Sequence, residues 1–167
     1  MKLSLLCVGR LNLPFANEGC AEFSGRLKRY LPLVIHEIKE HKTGRKQDLP
    51  RIIATEGEAL EQKIPPGAFV IALDQGGKKL SSEGLADLMK DHMLRSIPEW
   101  TLLIGGPYGL SDSLIKRADL VISLSPMTLT HQMARLLLLE QLYRCCTIIR
   151  NEPYNLSAAN DGRARCE

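Results

Sequence analysis

The sequence predicts an α/β fold in which a parallel sheet is covered by helices on both faces. Three observations predict it. Short apolar runs alternate with capped, helix-forming segments along the chain, the pattern of strand–crossover–strand units. The first of these runs reads as a strand buried on both faces, as in parallel sheets. The 167 residues, 44% hydrophobic and 25% charged, are enough for one domain with its own core. No repeat, low-complexity tract or linker divides them.

The elements follow in order. Lys2 to Val8 is a buried strand ended by Gly9. Pro14 suits the first turn of a helix reaching about Tyr30, because the amide it lacks has no helical partner there. Leu33 to Ile38, rich in branched residues, is a second strand, and His41 to Gln47 a basic loop. Asp48 is expected to cap a helix that runs to about Lys63 and stops at Pro65-Pro66-Gly67. Phe69 to Leu73 is a third strand, with a turn expected over Asp74 to Lys79. Ser81 caps a helix to about Met93, with Glu83 complementing its dipole. Trp100 to Ile104 is a fourth strand, Ser111 starts a short helix, and Leu120 to Leu124 is a fifth strand. His131 to about Ile148 is the last helix. The tail Asn155 to Glu167 has one large apolar residue, Leu156, and no periodicity; it is expected to be disordered or loosely attached.

The net charge of +3 permits an anionic partner without demanding one. Charge is uneven, however: Arg26, Lys28, Arg29, Lys39, Lys42, Arg45 and Lys46 face only Glu37 and Glu40 between Ser24 and Lys46. That run is either a solvated face or a phosphate-tracking patch. Cys7, Cys20, Cys145, Cys146 and Cys166 are odd in number and lack C-x-x-C spacing, so they read as thiols in a reducing compartment, the first four as core fillers. Leu3 to Val8 is too short for a signal peptide, and no run approaches the roughly 20 apolar residues of a membrane span. The expectation is a cytoplasmic protein with neither metal nor membrane partner.

Candidate chemistry gathers between Leu102 and Tyr154. A strand runs into Gly105-Gly106-Pro107-Tyr108-Gly109, and another into the Ser/Pro/Thr loop that opens the last helix. Two strand ends and a helix start can form one pocket lined by backbone groups, suited to a small polar ligand with an adenine ring. The glycine run is neither G-x-G-x-x-G nor a P-loop, and it signals close backbone approach to a ligand or to another chain segment. His36 and His41 lack the H-E-x-x-H spacing and fall on opposite sides of a strand. His131 reads as a cap, a core hydrogen-bonder or a catalyst. Met133 to Cys146 is almost wholly apolar, broken by Arg135, Glu140, Gln141 and Arg144; such a helix is a central core helix or is buried in part by a second subunit. Arg144 and nearby Tyr154 could serve an anionic or aromatic substrate.

Together these motifs resemble one family. Ile104-Gly105-Gly106-x-x-Gly109-Leu110, Leu124-Ser-Pro-Met-Thr-Leu129, His131-Gln132-Met133-x-Arg135, Glu140-Gln141-x-Tyr143-Arg144 and Pro153-Tyr154 occur in this order in the ribosomal RNA large subunit methyltransferase H family. Met1-Lys2-Leu3 through Val8-Gly9 and Ser81-Ser82-Glu83-Gly84-Leu85 match as well. The resemblance covers residues 1 to about 154, which it implies are a single domain. It implies the SPOUT-type α/β fold, with a C-terminal deep trefoil knot over about residues 100–154, an exception to the rule against threading. It also implies S-adenosylmethionine held by backbone atoms at Leu73, Gly105 and the loop Leu124, Ser125, Pro126, Met127, Thr128 and Leu129. The implied substrate is N3 of a pseudouridine in a hairpin loop of 23S rRNA, within the large subunit or assembled ribosome, with Arg144 and Tyr154 on the substrate side and a homodimer as the working form.

The chemistry agrees. A sulfonium donor needs no metal; it needs an in-line nucleophile. The imide proton of N3 must leave, and Arg144 suits the resulting anion. One departure stands out: family members usually end shortly after Pro-Tyr-His-Lys or Pro-Tyr-His-Arg, whereas Asn155 and twelve further residues follow Tyr154 here. Two alternatives therefore stand beside this reading. One is a SPOUT methyltransferase for another RNA position, the other a ribosome-binding module whose catalysis is impaired by the altered C-terminus.

Overall fold

The computed structural model describes residues 1–41 and 48–155. Lys42, Arg45 and Lys46 of the basic run, Cys166, and the tail after Asn155 lie outside the described residues. Five strands, β1 (Lys2–Val8), β2 (Leu33–Ile38), β3 (Phe69–Lys79), β4 (Glu99–Ile104) and β5 (Leu120–Ser123), form one sheet in the order β2-β1-β4-β3-β5. Every pairing is parallel. Five helices connect or follow them: α1 (Pro14–Leu27), α2 (Leu49–Glu61), α3 (Ser82–Leu94), α4 (Asp112–Arg117) and α5 (His131–Ile149).

Strand alternation divides the core in two. Leu3, Leu5 and Cys7 of β1 join Trp100, Leu102 and Ile104 of β4 on one face, against Cys20 of α1, Leu85 and Met89 of α3, and Leu138 and Leu142 of α5. Leu6 and Val8 point the other way, with Leu103 of β4, and meet Leu60 of α2 and Leu114 of α4. Both faces are thus covered, as the unbroken apolar run of β1 requires. Cys7, Cys20, Cys145 and Cys146 are buried free thiols; burial pushes the Cys146 thiol up to about 11 and makes it a packing group rather than a nucleophile.

Two buried polar side chains tie elements of the core together. Trp100 donates its indole N–H to His92 Nδ1 at 2.8 Å. Arg135, buried on α5, reaches Glu37 of β2 at 2.8 Å, and so ties the last helix to the edge strand. No helix among the described residues is long and apolar enough to cross a membrane.

The elements differ from the sequence expectation in four places. The expected turn over Asp74 to Lys79 belongs to β3, which bulges after Leu73 and resumes pairing at Lys78 opposite Ile122. Asp74 Oδ1 accepts the Gly76 amide at 2.8 Å, which bends the chain out. At Gly77 the chain returns so close to β5 that a Cβ would lie 2.6 Å from the Ile122 carbonyl carbon. Asp48 is helical at the start of α2, and its side chain accepts no capping hydrogen bond. The first helix ends at Leu27, three residues before Tyr30, where Tyr30 is bonded to Glu152 from the far end of the chain. Pro153–Asn155 forms a 3-10 turn that the sequence did not announce.

A parallel sheet puts every carboxyl end on one edge, the edge where open α/β sheets bind ligands. The loops after β1, β3, β4 and β5 all leave from it.

Candidate active site

A cavity of about 280 Å³ opens at that edge, between the ends of β3, β4 and β5 and the start of α5. That is close to the lower end of the size range of small-molecule sites. Leu73, Ile104, Leu124 and Leu129 give it apolar walls, and Gly105, Gly106, Ser125, Met127 and Thr128 bring backbone to its surface. Of the eight residues singled out for a cofactor, seven line this cavity. The eighth, Pro126, is not among the lining residues, but its carbonyl accepts a hydrogen bond from Gln75 at 2.9 Å.

The loop from β5 to α5 is held by its own side chains. Ser123 Oγ donates to the Ser125 carbonyl at 2.9 Å, and Ser125 Oγ accepts the Met127 amide at 2.9 Å. Thr130 caps α5 by accepting the Met133 amide at 3.2 Å. With these three hydroxyls engaged inside the loop, the polar surface it offers a ligand is its backbone and the Thr128 hydroxyl. Capping falls to Thr130, which frees His131 to line the cavity, with its Nε2 buried against Gly9 and without a hydrogen-bond partner.

The opposite wall explains the glycine run. A Cβ on Gly105 would lie 2.4 Å from the Gly109 carbonyl carbon and 2.8 Å from the Leu110 nitrogen. Close approach at Gly105 is therefore first to another stretch of the chain, although the residue also lines the cavity. The Gly109 amide donates back to the Gly106 carbonyl at 3.0 Å, and Gly109 adopts φ +83°, which favours glycine. Behind this wall sits Glu56 of α2, 2% exposed. One carboxylate oxygen accepts the His41 amide at 2.8 Å, and burial holds the carboxyl above its usual range.

Arg144 and Tyr154 gather elsewhere, with each other and with Glu140. Arg144 donates from Nε and from a terminal nitrogen to Glu140 Oε1 at 3.0 and 2.6 Å, and the Tyr154 hydroxyl donates to the same oxygen at 3.0 Å. The guanidinium also lies over the Tyr154 ring, 4.8 Å from its centre. Glu140 Oε2 accepts from Gln141, and Gln141 in turn accepts from Ser82 at the start of α3. Burial and the bond to Glu140 raise the Tyr154 phenol above its ordinary value, so at neutral pH it is a donor rather than a proton acceptor. Thirteen residues separate His131 from Arg144, roughly 20 Å along a helix. The cavity and the Arg144 cluster are therefore at opposite ends of α5.

With this geometry in hand, comparison with known proteins is decisive. The family model described as "Predicted SPOUT methyltransferase" matches residues 1–155. The chain belongs to the SPOUT methyltransferase family. Within it, "Ribosomal RNA large subunit methyltransferase H" of Syntrophotalea carbinolica is 59% identical over 155 residues, covering 93% of this chain and 99% of the relative. The protein of the same name from Trichlorobacter lovleyi is 43% identical over 155 residues, with the same coverage. Identity at that level across nearly the whole of both chains places this one among the large subunit methyltransferase H proteins. Among solved structures, a probable methyltransferase from Bordetella pertussis superposes with TM-score 0.53 at 16% identity, covering 87% of this chain and 96% of that one, a likeness of fold alone.

S-adenosylmethionine is the cofactor of this family and so of this chain. The cavity fits it: apolar walls suit an adenine ring, glycine and loop backbone supply donors and acceptors, and among the described residues no lysine or arginine lines it to oppose a sulfonium, Asp74 being the one carboxylate. Sequence reasoning missed Asp74 and Gln75, which also line the cavity, and the hub role of Glu140. Asp74 and Gln75 were read as turn residues. For Glu140 the signal was present in the i,i+4 spacing to Arg144, a pair that helices bring together.

Proposed function

We propose that the chain methylates N3 of a pseudouridine in a hairpin loop of 23S rRNA, acting in the cytoplasm as a homodimer on the large subunit or assembled ribosome. The observation that carries the reading is the pairing of a backbone-lined cofactor cavity with a separate, pre-ordered Arg144–Tyr154 cluster, in a chain whose named relatives act on large-subunit rRNA. In this reading residues 1–154 are one domain, with the family's knot over about residues 100–154.

Leu73, Gly105 and the loop Leu124 to Leu129 hold the cofactor, which supplies an electrophilic methyl group when bound. What remains for the protein is alignment and charge. The base must be presented unpaired, which a hairpin loop makes cheap. Arg144 stabilises the imide anion left when the N3 proton departs. Glu140 fixes the guanidinium through two hydrogen bonds, and the Tyr154 ring beneath it blocks alternative rotamers.

The separation along α5 also supports the homodimer. Met133, Leu137, Glu140 and Arg144 are only half-buried and recur at intervals of 4, 3 and 4 residues, the spacing of a helix–helix seam. Two such helices packed antiparallel about a two-fold axis set Arg144 of one chain beside the cavity of the other. Light scattering at micromolar concentration is expected to give about twice the 18.6 kDa chain mass; an active monomer contradicts this arrangement.

The altered C-terminus bears on rate. Asparagine cannot take up a proton near neutral pH, whereas histidine can. A chain rebuilt to end Pro-Tyr-His-Arg is expected to bind cofactor equally and to transfer methyl groups faster, by up to about 10²–10⁴-fold if the histidine is a general base. Single-turnover methylation of unmodified ribosomes compares the two forms, and equal rates show that the histidine is dispensable. The function itself is tested by transfer of labelled methyl groups to large subunits from a strain lacking the modification; failure to label their 23S rRNA refutes it.

A further inference from the structure

Six large apolar side chains are exposed among the described residues: Leu13, Phe15, Val34, Leu94, Tyr108 and Met127. Four of them stand on segments leaving the carboxyl edge of the sheet, where the cavity opens. Tyr108 and Met127 are the most telling, because they stand on the two loops that wall the cavity. Met127 lines it and is 75% exposed; Tyr108, 40% exposed, sits between Pro107 and Gly109, which both line it.

Tyr108 differs from every other tyrosine in the chain. Tyr30, Tyr143 and Tyr154 each pack against another ring and carry a cation over their own. Tyr108 makes no such contact and no side-chain hydrogen bond among the described residues. Its backbone is nevertheless fixed, by the Gly109 to Gly106 hydrogen bond and by the close packing of Gly105 under Gly109. A bare aromatic ring on a rigid turn loses little conformational freedom on binding a flat partner, and it leaves apolar area in water until one arrives. At the ends of β1, β2 and β3, on the same edge of the sheet, Arg10, Lys39, Lys78 and Lys79 are exposed and in no ion pair among the described residues. Aromatic faces interleaved with free cations are the means by which proteins hold single-stranded nucleic acid.

We propose that Tyr108 is a stacking platform which, with Met127 on the facing loop, holds an unpaired RNA base at the mouth of the cofactor cavity. The inference rests on the reading of the substrate as an RNA loop and adds a residue that positions it. Arg144 handles charge on the reacting base; Tyr108 holds a base by its face, independent of sequence.

The test compares Tyr108→Ala and Tyr108→Phe with the parent chain. Three readouts are equilibrium binding to large subunits lacking the modification, cofactor affinity by calorimetry, and single-turnover methylation. Stacking is worth about 1–3 kcal/mol per base, so Tyr108→Ala should bind subunits about 5- to 150-fold more weakly. Cofactor affinity and melting temperature should hold, and Tyr108→Phe should restore binding to within about twofold. Unchanged subunit binding in Tyr108→Ala overturns the platform. So does a loss shared equally by cofactor binding, or a dimer that falls apart in Tyr108→Ala, which would make a second copy the occupant. Ring-dependent binding by a chain that transfers no methyl group supports the platform and refutes the catalytic reading instead. A parent chain that neither binds nor methylates subunits overturns both.

Discussion

Gly105→Val is expected to unfold the cofactor site and much of the fold around it, rather than merely to block a ligand. Its first added carbon would sit 2.4 Å from the Gly109 carbonyl carbon, and backbone cannot step aside as a flexible side chain does. The turn that would have to move also carries the wall of the cavity and packs behind β4. Overpacking of this kind costs about 3 kcal/mol or more, which for a chain of this size lowers the melting temperature by roughly 6–12 °C. Calorimetry should then show no heat of cofactor binding at concentrations that saturate the parent chain. Gly25→Ala is the control. That position lies inside α1 with nothing within 4 Å of the added carbon, so alanine should be neutral or stabilising by up to about 1 kcal/mol. A Gly105→Val chain that melts like the parent would show that the close approach of Gly105 and Gly109 does not exist.

Arg144→Ala is expected to have the opposite profile. Methyl transfer should fall by about 10²–10³-fold, the scale of removing one preorganised group that stabilises a developing anion. Cofactor affinity should change little, because the cofactor is held by Leu73, Gly105 and the loop Leu124 to Leu129, whereas Arg144 acts on the reacting base and is not among the residues lining the cavity. Arg144→Lys should recover little: a lysine carries the charge but cannot make the two-pronged contact with Glu140 or lie flat over the Tyr154 ring. Single-turnover rates, with cofactor binding measured in parallel, separate the two effects. If all three chains methylate equally fast, Arg144 does not touch the chemistry.

These two sites mark what the sequence does and does not disclose. The α/β class was legible because unbroken apolar runs, proline and serine caps and short loops each act over a few residues. The bounds of β1, β2 and the start of α5 follow from that local chemistry. The loop Leu124 to Leu129 was legible for the same reason, since a Ser/Pro/Thr run between strand and helix has few other uses. Contacts across the chain were not legible. Nothing near Asp74 announces that β3 will resume pairing with β5 after a bulge, because the deciding fact is a backbone meeting at Gly77 and Ile122. Gly105 was visible as a close approach, but its partner, Gly109, is identified only by the fold. Glu140 looked like a polar break in an apolar helix and proves to be the acceptor for both Arg144 and Tyr154. Glu56, a buried carboxylate behind the cavity wall, carries no sequence signal, because its burial depends on helix packing and its partner is a backbone amide fifteen residues away.

The acceptor proposed for this chain is N3 of a pseudouridine in large-subunit rRNA. The most direct measurement incubates it with S-adenosylmethionine and large subunits from a strain lacking the modification, then digests the 23S rRNA and maps methylated nucleosides by mass spectrometry. The expected result is one new species, N3-methylpseudouridine, confined to a single hairpin loop, appearing with the parent chain and strongly reduced with Arg144→Ala. A methyl group on another base or another atom, or none on 23S rRNA at all, would contradict it.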